Sequence, residues 1–416
     1  MAEKSKSRFS RLQVFAMLLI LLGLFLAVIA RLRINPANVS SLGFEKLGQA
    51  TVPSQRGVAA FGALSALAAL AALVLSNRNA RIAAAALVVS VMLAIVAILT
   101  ALAQGGSIDL VGMLASSLRM CTPIALGALA GILCEKSGVV NIGIEGMMLA
   151  AAAFGFGANL FFKNIWVGVL VAILVGGSMS ILHALMSIRF KADQIISGTA
   201  INILAVGASG FLRRAYLVKA YFVGQTLPII RIPLLSRIPV LGTLIFRSQP
   251  IVYVMLILVP VVYFMLFHTP WGLRTRAVGE HPRAADTVGV NVFKTRYVNV
   301  IVAGCIAGLA GAWFSLETVG SFEDVMTGGK GFIALAAMIF GNWNPIGAFM
   351  AALLFGFADA LQVKMQIIQP VLPFINKPIP PEFLQMAPYI LTIIVVAGVV
   401  GRSRAPAAEG KPYEKQ

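Results

Sequence analysis

The stretch Ile124-Ala125-Leu126-Gly127-Ala128-Leu129-Ala130-Gly131-Ile132-Leu133-Cys134 is cut by Glu135-Lys136-Ser137-Gly138, then resumes as an apolar run closing on Phe154-Gly155-Phe156-Gly157-Ala158-Asn159-Leu160. A helix needs about 20 apolar residues to cross the hydrocarbon core of a bilayer. The two arms belong to runs at 110–134 and 139–161 that reach that length, and similar runs fill the chain. They fall at 12–30, 57–75, 82–103, 110–134, 139–161, 165–188, 195–212, 251–268, 298–316, 329–343, 346–362 and 386–401. The pattern predicts an all-α, polytopic transmembrane helix bundle of about 10–12 spans.

Composition agrees. The 416 residues are 59% hydrophobic and 12% charged. A soluble domain carries roughly 25% charge, so lipid must take the apolar surplus. The net charge of +18 lacks any nucleic-acid-binding motif beside it, which excludes a nucleic acid polymer as partner. It fits instead the excess of Lys and Arg in cytoplasmic loops. The basic amino terminus, the segment 274–296 and the tail with Arg402, Arg404, Lys411 and Lys415 are expected on the cytoplasmic side. Arg213, Arg214, Lys219, Arg231, Arg237 and Arg247 oppose that scheme, because alternation puts 213–250 outside. The run 12–30 follows Lys4, Lys6, Arg8 and Arg11 with no cleavage site after it, and reads as a retained signal-anchor. Cys121, Cys134 and Cys305 lie in apolar runs and read as packing residues.

Ile333-Ala334-Leu335-Ala336-Ala337 opens a second broken run, interrupted at Gly341-Asn342-Trp343-Asn344-Pro345 and resuming to Phe355-Gly356-Phe357-Ala358-Asp359-Ala360-Leu361. Paired interrupted segments point to a two-half pseudo-repeat and to the substrate path between the halves. Three parts follow: 1–104, an amino-terminal three-helix membrane module; 105–402, the transmembrane domain; and 403–416, a cytoplasmic tail.

Ionisable groups at membrane depth are costly and mark pathways. Asn141 and Glu145 are four apart, one face if helical, and are candidate pathway residues. Glu135 and Lys136 read as caps in water. Gln194 and Asn202, eight apart, suit either a polar neutral ligand or bonding between helices. Glu317, Glu323, Asp324 and Lys330 fall between spans and read as solvated. In 269–290, Pro282 suits a first helical turn and Gly289 a helix end. This predicts a short amphipathic helix along the membrane surface, docking a partner or resting on lipid. No phosphate loop, metal set or nucleophile elbow appears, so the chain is expected not to be an enzyme.

Here the sequence resembles a family. The run 135–148 is similar to the E-[RK]-S-G-V-V-N-I-G-[LI]-E-G-M-M signature of permease subunits from bacterial nucleoside-type ABC importers, within the simple-sugar and branched-chain amino acid permease superfamily. The loop 272–289 resembles that family's coupling segment, G-L-x-x-R-A-V-G-E-x-P-x-A-A-D-x-x-G. Matches continue through 308–312, 331–341 and 353–361, and the likeness covers about 105–401. Lys136 is the lysine form of the signature's second position, where arginine is the expected residue, and Cys134 falls at a variable position. The amino-terminal module occurs only in longer members.

The resemblance implies a plasma-membrane permease that pairs with a second homologous permease as a heterodimer. It also implies a cytoplasmic ATP-binding subunit and an extracellular substrate-binding lipoprotein. ATP and Mg would be used by that ATPase, with no cofactor on this chain. Arg276, Gly279, Glu280, Pro282, Arg283, Ala284, Ala285 and Gly289 become the ATPase-coupling candidates, and Asp359 joins Asn141, Glu145, Gln194 and Asn202 on the pathway. A sugar or branched-chain amino acid permease of the same type stays open. So does an ion-coupled secondary transporter, against which the docking loop argues.

Overall fold

The computed structural model describes residues 11–43, 48–76, 78–103, 107–218, 225–368, 371–372, 377–378, 380–386 and 404–415. The expected span 386–401 lies outside the described residues except at Met386. Among the described residues, nine helices are long and apolar enough to cross a membrane, and two further apolar helices are shorter. The chain divides into two compact units.

The first unit takes in Met1–Ala115, Arg237–Leu244 and Ala358–Gly401. Its helices α1 (Arg11–Arg33), α2 (Ser54–Leu75) and α3 (Ala80–Leu102) are apolar, and small residues let the backbones of α1 and α2 come together. A Cβ on Gly23 would stand 2.6 Å from the Gly62 carbonyl oxygen. Ser65 and Ser90 each donate to the other's backbone carbonyl, at 2.9 and 2.8 Å, tying α2 to α3. Strands β1 (Val39–Gly43), β2 (Gln49–Pro53) and β3 (Ser107–Asp109) form a small sheet in the order β2-β1-β3, with β1 antiparallel to β2 and parallel to β3.

The second unit holds Ser116–Ser236, Ile245–Phe357 and Arg402–Gln416. Its helices are most of α4 (Leu110–Lys136), α5 (Ile144–Phe162), α6 (Ile165–Ala184) and α7 (Gln194–Leu212). Beyond α8 (Leu241–Leu244), a single turn that belongs to the first unit, come α9 (Pro250–His268), α10 (Pro270–Glu280), α11 (Pro282–Thr287), α12 (Val292–Ala312) and α13 (Lys330–Phe340). The helix α14 (Pro345–Ile368) begins here and ends in the first unit. Asn164 and Asp193 accept backbone N–H bonds at the starts of α6 and α7, and Asn291 does so for α12. Gly176 of α6 packs on Gly304 and Gly308 of α12, too close for side chains. The helices α6, α7 and α12 each finish in a π turn, at Leu185–Arg189, Arg213–Leu217 and Trp313–Val319.

Several expectations change. The span expected at 329–343 is an eleven-residue helix, too short to cross a core about 30 Å thick. Arg213 and Arg214 belong to the π turn that ends α7, not to the following loop. Arg213 pairs with Glu323 at 2.6 Å and Asp324 at 2.9 Å, so one of the opposing charges is neutralised within the fold. Glu317, expected in solvent, is fully buried in the last of the π turns and accepts the Ile251 N–H at 2.7 Å.

Candidate functional site

The break after α4 carries the polar residues. Gly138 takes a φ of +86°, which turns the chain out of the helix; the Ser137 and Gly138 N–H groups close back on the Cys134 and Glu135 carbonyls, and the chain then runs irregularly until α5 starts at Ile144. Irregular backbone at membrane depth needs partners from the surrounding protein. Gln194 Oε1 accepts the Val140 N–H at 2.7 Å, and His183 Nε2 meets the Val140 carbonyl at 2.9 Å. Asn202 Oδ1 accepts the Gly146 N–H at 2.8 Å, and its amide donates to the Ile142 carbonyl at 3.2 Å. Arg296, buried in α12, donates from Nε to the Ser137 carbonyl at 3.2 Å.

Gln194 and Asn202 thus both lie on α7 and converge on the break. Asn141 does not share a helix face with Glu145, because it sits in the break itself; its Oδ1 accepts the Gly143 N–H at 3.0 Å. Asp359 is buried on α14 in the other unit.

Glu145, in the first turn of α5, has its carboxylate fully engaged. Oε1 accepts the Thr327 hydroxyl at 2.6 Å and the Gly329 N–H at 2.8 Å, while Oε2 accepts the Gly331 N–H at 2.6 Å. The start of α13 therefore rests on the start of α5. Gly311 packs on the Met148 carbonyl, and Ser315 donates to the Ala152 carbonyl at 2.8 Å, so α5 and α12 run in the same direction. At about 1.5 Å per residue, Ile144 stands roughly 22 Å along α12 from Val292, about halfway up that crossing. Gly127 faces Ala334 and Gly131 faces Met338, so α13 runs with α4, opposite to α5. The nineteen-residue α5 and the eleven-residue α13 meet amino end to amino end at one carboxylate, where both helix dipoles favour negative charge. The other break is joined too: the Trp343 indole donates to Glu135, which is buried and not a cap in water. Spacing alone does not reveal Thr327, His183, Arg296 or Trp343 as partners; a polar residue inside an apolar run was the available signal for His183.

The docking loop forms two helices where one was expected. Arg276, Gly279 and Glu280 lie on α10, and Pro282, Arg283, Ala284 and Ala285 on α11; Gly289, at φ +85°, follows. Gly279 packs directly on the Lys136 carbonyl at the end of α4. Val278, Ala285 and Val292 form a small core with Tyr413, while Arg283, Ala284, Thr287 and Val288 face outward. The guanidinium of Arg276 lies 5.1 Å from the centre of the Phe267 ring.

The tail also reaches this face, where the Glu409 and Glu135 carboxyls share a hydrogen bond close to Lys136. Burial pushes the Glu409 carboxyl up from its ordinary range. A carboxyl whose folded value is raised favours the contact at low pH and loses it as pH climbs from the free value through the folded one. Proteolytic cleavage within 404–415 is therefore expected to accelerate as pH rises, and Glu409→Gln to flatten that dependence.

Residues 113–396 match the family described as branched-chain amino acid transport system / permease component. The chain is 43% identical over 309 residues to the guanosine ABC transporter permease protein NupQ of Bacillus subtilis, covering 72% of this chain and 95% of that protein. It is 38% identical over 311 residues to the nucleoside ABC transporter permease protein NupC of Lactococcus lactis, covering 73% and 96%. A Haloferax volcanii protein named "Putative glucose ABC transporter permease protein TsgC13" is 36% identical over 323 residues, covering 73% and 98%. No solved structure matches.

Proposed function

The chain belongs to the family of branched-chain amino acid transport system permease components, and on that premise we propose that it forms part of the translocation path of an ATP-driven nucleoside importer. It is a multi-pass membrane protein and a transport subunit. The observation that carries the substrate class is the near full-length likeness to two permeases named for guanosine and nucleosides. The likeness to a protein named for glucose supports a sugar as the second reading.

In this proposal the chain sits in a bacterial plasma membrane with both termini in the cytoplasm. A second, homologous permease completes the pathway, an extracellular lipoprotein delivers substrate, and ATP and Mg are used by a cytoplasmic ATPase. The outward side chains of α11 meet that ATPase. Its closure moves α10 and α11 together, and Gly279 passes the movement to the end of α4 and the adjoining break. The break's polar collar, with Gln194 and Asn202, lies beside the node where Glu145 joins α5 to α13. Rocking this node alternately opens the path to either side.

The test is uptake into proteoliposomes holding this chain, its permease partner, the ATPase and the binding protein, with and without internal ATP. ATP-dependent uptake of guanosine or uridine in preference to glucose is expected. Uptake that ignores ATP and follows an ion gradient would return the chain to the secondary transporters. In the same preparation, Gly289→Trp and the double substitution of Glu280 and Arg283 are expected to lower uptake about tenfold or more. Undiminished uptake would remove α10 and α11 from the coupling path.

A further inference from the structure

The described tail, 404–415, lies along the same end of the second unit as α10 and α11, and its contacts span that end. The Arg404 N–H donates to Asn342 Oδ1 at 3.0 Å, in the break between α13 and α14. The Ala407 N–H donates to Glu280 Oε2 at 3.2 Å, and the Ala408 N–H to the Gly279 carbonyl at 2.9 Å, both on α10. The Lys411 carbonyl accepts from buried Arg296 of α12 at 3.0 Å. Arg296 therefore holds the tail with one nitrogen and the break after α4 with another.

Tyr413 is 5% exposed, inserted between Val278 of α10, Ala285 of α11 and Val292 of α12. Its ring meets Phe293 with centroids 5.4 Å apart, and its hydroxyl bonds to Asp286. Beyond it, Glu414 pairs with Lys191, between the π turn ending α6 and the start of α7, at 2.6 Å.

A loose terminal segment buries no aromatic side chain in a core and spends no backbone N–H groups on other elements. This one joins both helix breaks, the α6–α7 turn and the α10–α11 pair, while leaving Arg283, Ala284, Thr287 and Val288 uncovered.

Resting on the importer reading above, we propose that the carboxyl-terminal tail is a transmission strap. It stays attached through the transport cycle and carries the movement of α10 and α11 to the two helix breaks. The strap is a positioning element: it touches neither substrate nor nucleotide, and the ATPase docks on the face beside it. Removing it disconnects hydrolysis from transport without removing the docking face.

The experiment compares three variants with the unsubstituted chain in the full reconstituted complex: a chain ending at Arg402, Tyr413→Ala and Tyr413→Phe. Uptake and ATP hydrolysis are measured in the same vesicles. In the truncated and alanine variants, hydrolysis is expected to stay within about twofold while uptake per ATP falls about tenfold. Tyr413→Phe, which keeps the ring in its core, is expected to remain near the parent. An unchanged ratio of uptake to hydrolysis overturns the proposal, as does a fall in both in proportion to lost assembly. Lys191→Cys with Glu414→Cys, joined by a short bismaleimide, holds the tail in place and does not depend on the truncated chain folding. Uptake is expected to continue in the joined form; arrest would make the tail a latch that must leave, and overturn the strap. If the unsubstituted complex takes up substrate without regard to ATP, the importer reading fails instead, and the two failures are distinct.

Discussion

Glu145→Ala is expected to abolish ATP-driven uptake and to destabilise the purified complex by about 2–6 kcal/mol, counting two orphaned backbone N–H groups at about 1–3 kcal/mol each. The Thr327 hydroxyl can rotate toward another acceptor, but the amides of Gly329 and Gly331 cannot. No side chain can be added at Gly331 to compensate, because a Cβ there would stand 2.6 Å from the Glu145 Cα. Glu145→Gln keeps an acceptor oxygen but loses the charge that two helix amino ends favour. It should fall between the parent and the alanine variant in both stability and uptake. Thermal unfolding in detergent, read beside uptake in vesicles, checks the order. An alanine variant as stable and active as the parent would show that α5 and α13 do not depend on this carboxylate.

Gly279→Leu is expected to cut uptake about a hundredfold, with overpacking at the contact costing about 1–3 kcal/mol. The contact is backbone against backbone: any Cβ at 279 meets the Lys136 carbonyl, which is fixed at the end of α4 and cannot swing aside. The helix α10 must lift away, separating the outward face of α11 from the break it is proposed to drive. Gly279→Ala should give a smaller loss of the same kind. Gly207→Ala is the control, since a Cβ at that position on α7 meets nothing within 4 Å. Alanine there should leave uptake unchanged and favour the helix slightly. Equal effects at 279 and 207 would mean that loss of a glycine, rather than the Lys136 contact, matters.

The long crossings were legible because apolar run length is a local property that lipid reads directly. The runs at 165–188, 195–212 and 251–268 lie inside the spans Ile165–Arg189, Gln194–Leu217 and Pro250–His268. Both helix breaks were legible as well, since glycine and clustered polar residues interrupt those runs. The partners across the fold were not. Glu145 meets Thr327 and Gly331 over separations of 182 and 186 residues, and no spacing rule reaches that far. A four-residue spacing puts Asn141 and Glu145 on one face only if both lie in a helix, and α5 begins only at Ile144. Glu317 looked solvated because a π turn extends α12 past the point where its apolar run thins out. The pairing of Arg213 with Glu323 and Asp324 was likewise invisible to a count of basic residues along the chain.

The π turns at the ends of α6, α7 and α12 have a bearing on phase. Each is a helical stretch wound one residue too wide, and a helix turns about 100° per residue. Everything beyond the wide turn is rotated by that angle relative to an uninterrupted helix. In α12 this rotation helps set where the Glu317 carboxylate meets the amide of Ile251. Deleting one residue within 313–316 would leave a regular helix of nearly the same length and still turn that carboxylate away from α9. The surplus residue acts as a clocking tooth: it adds almost nothing to the length of the crossing and fixes the angle at which the chain leaves it.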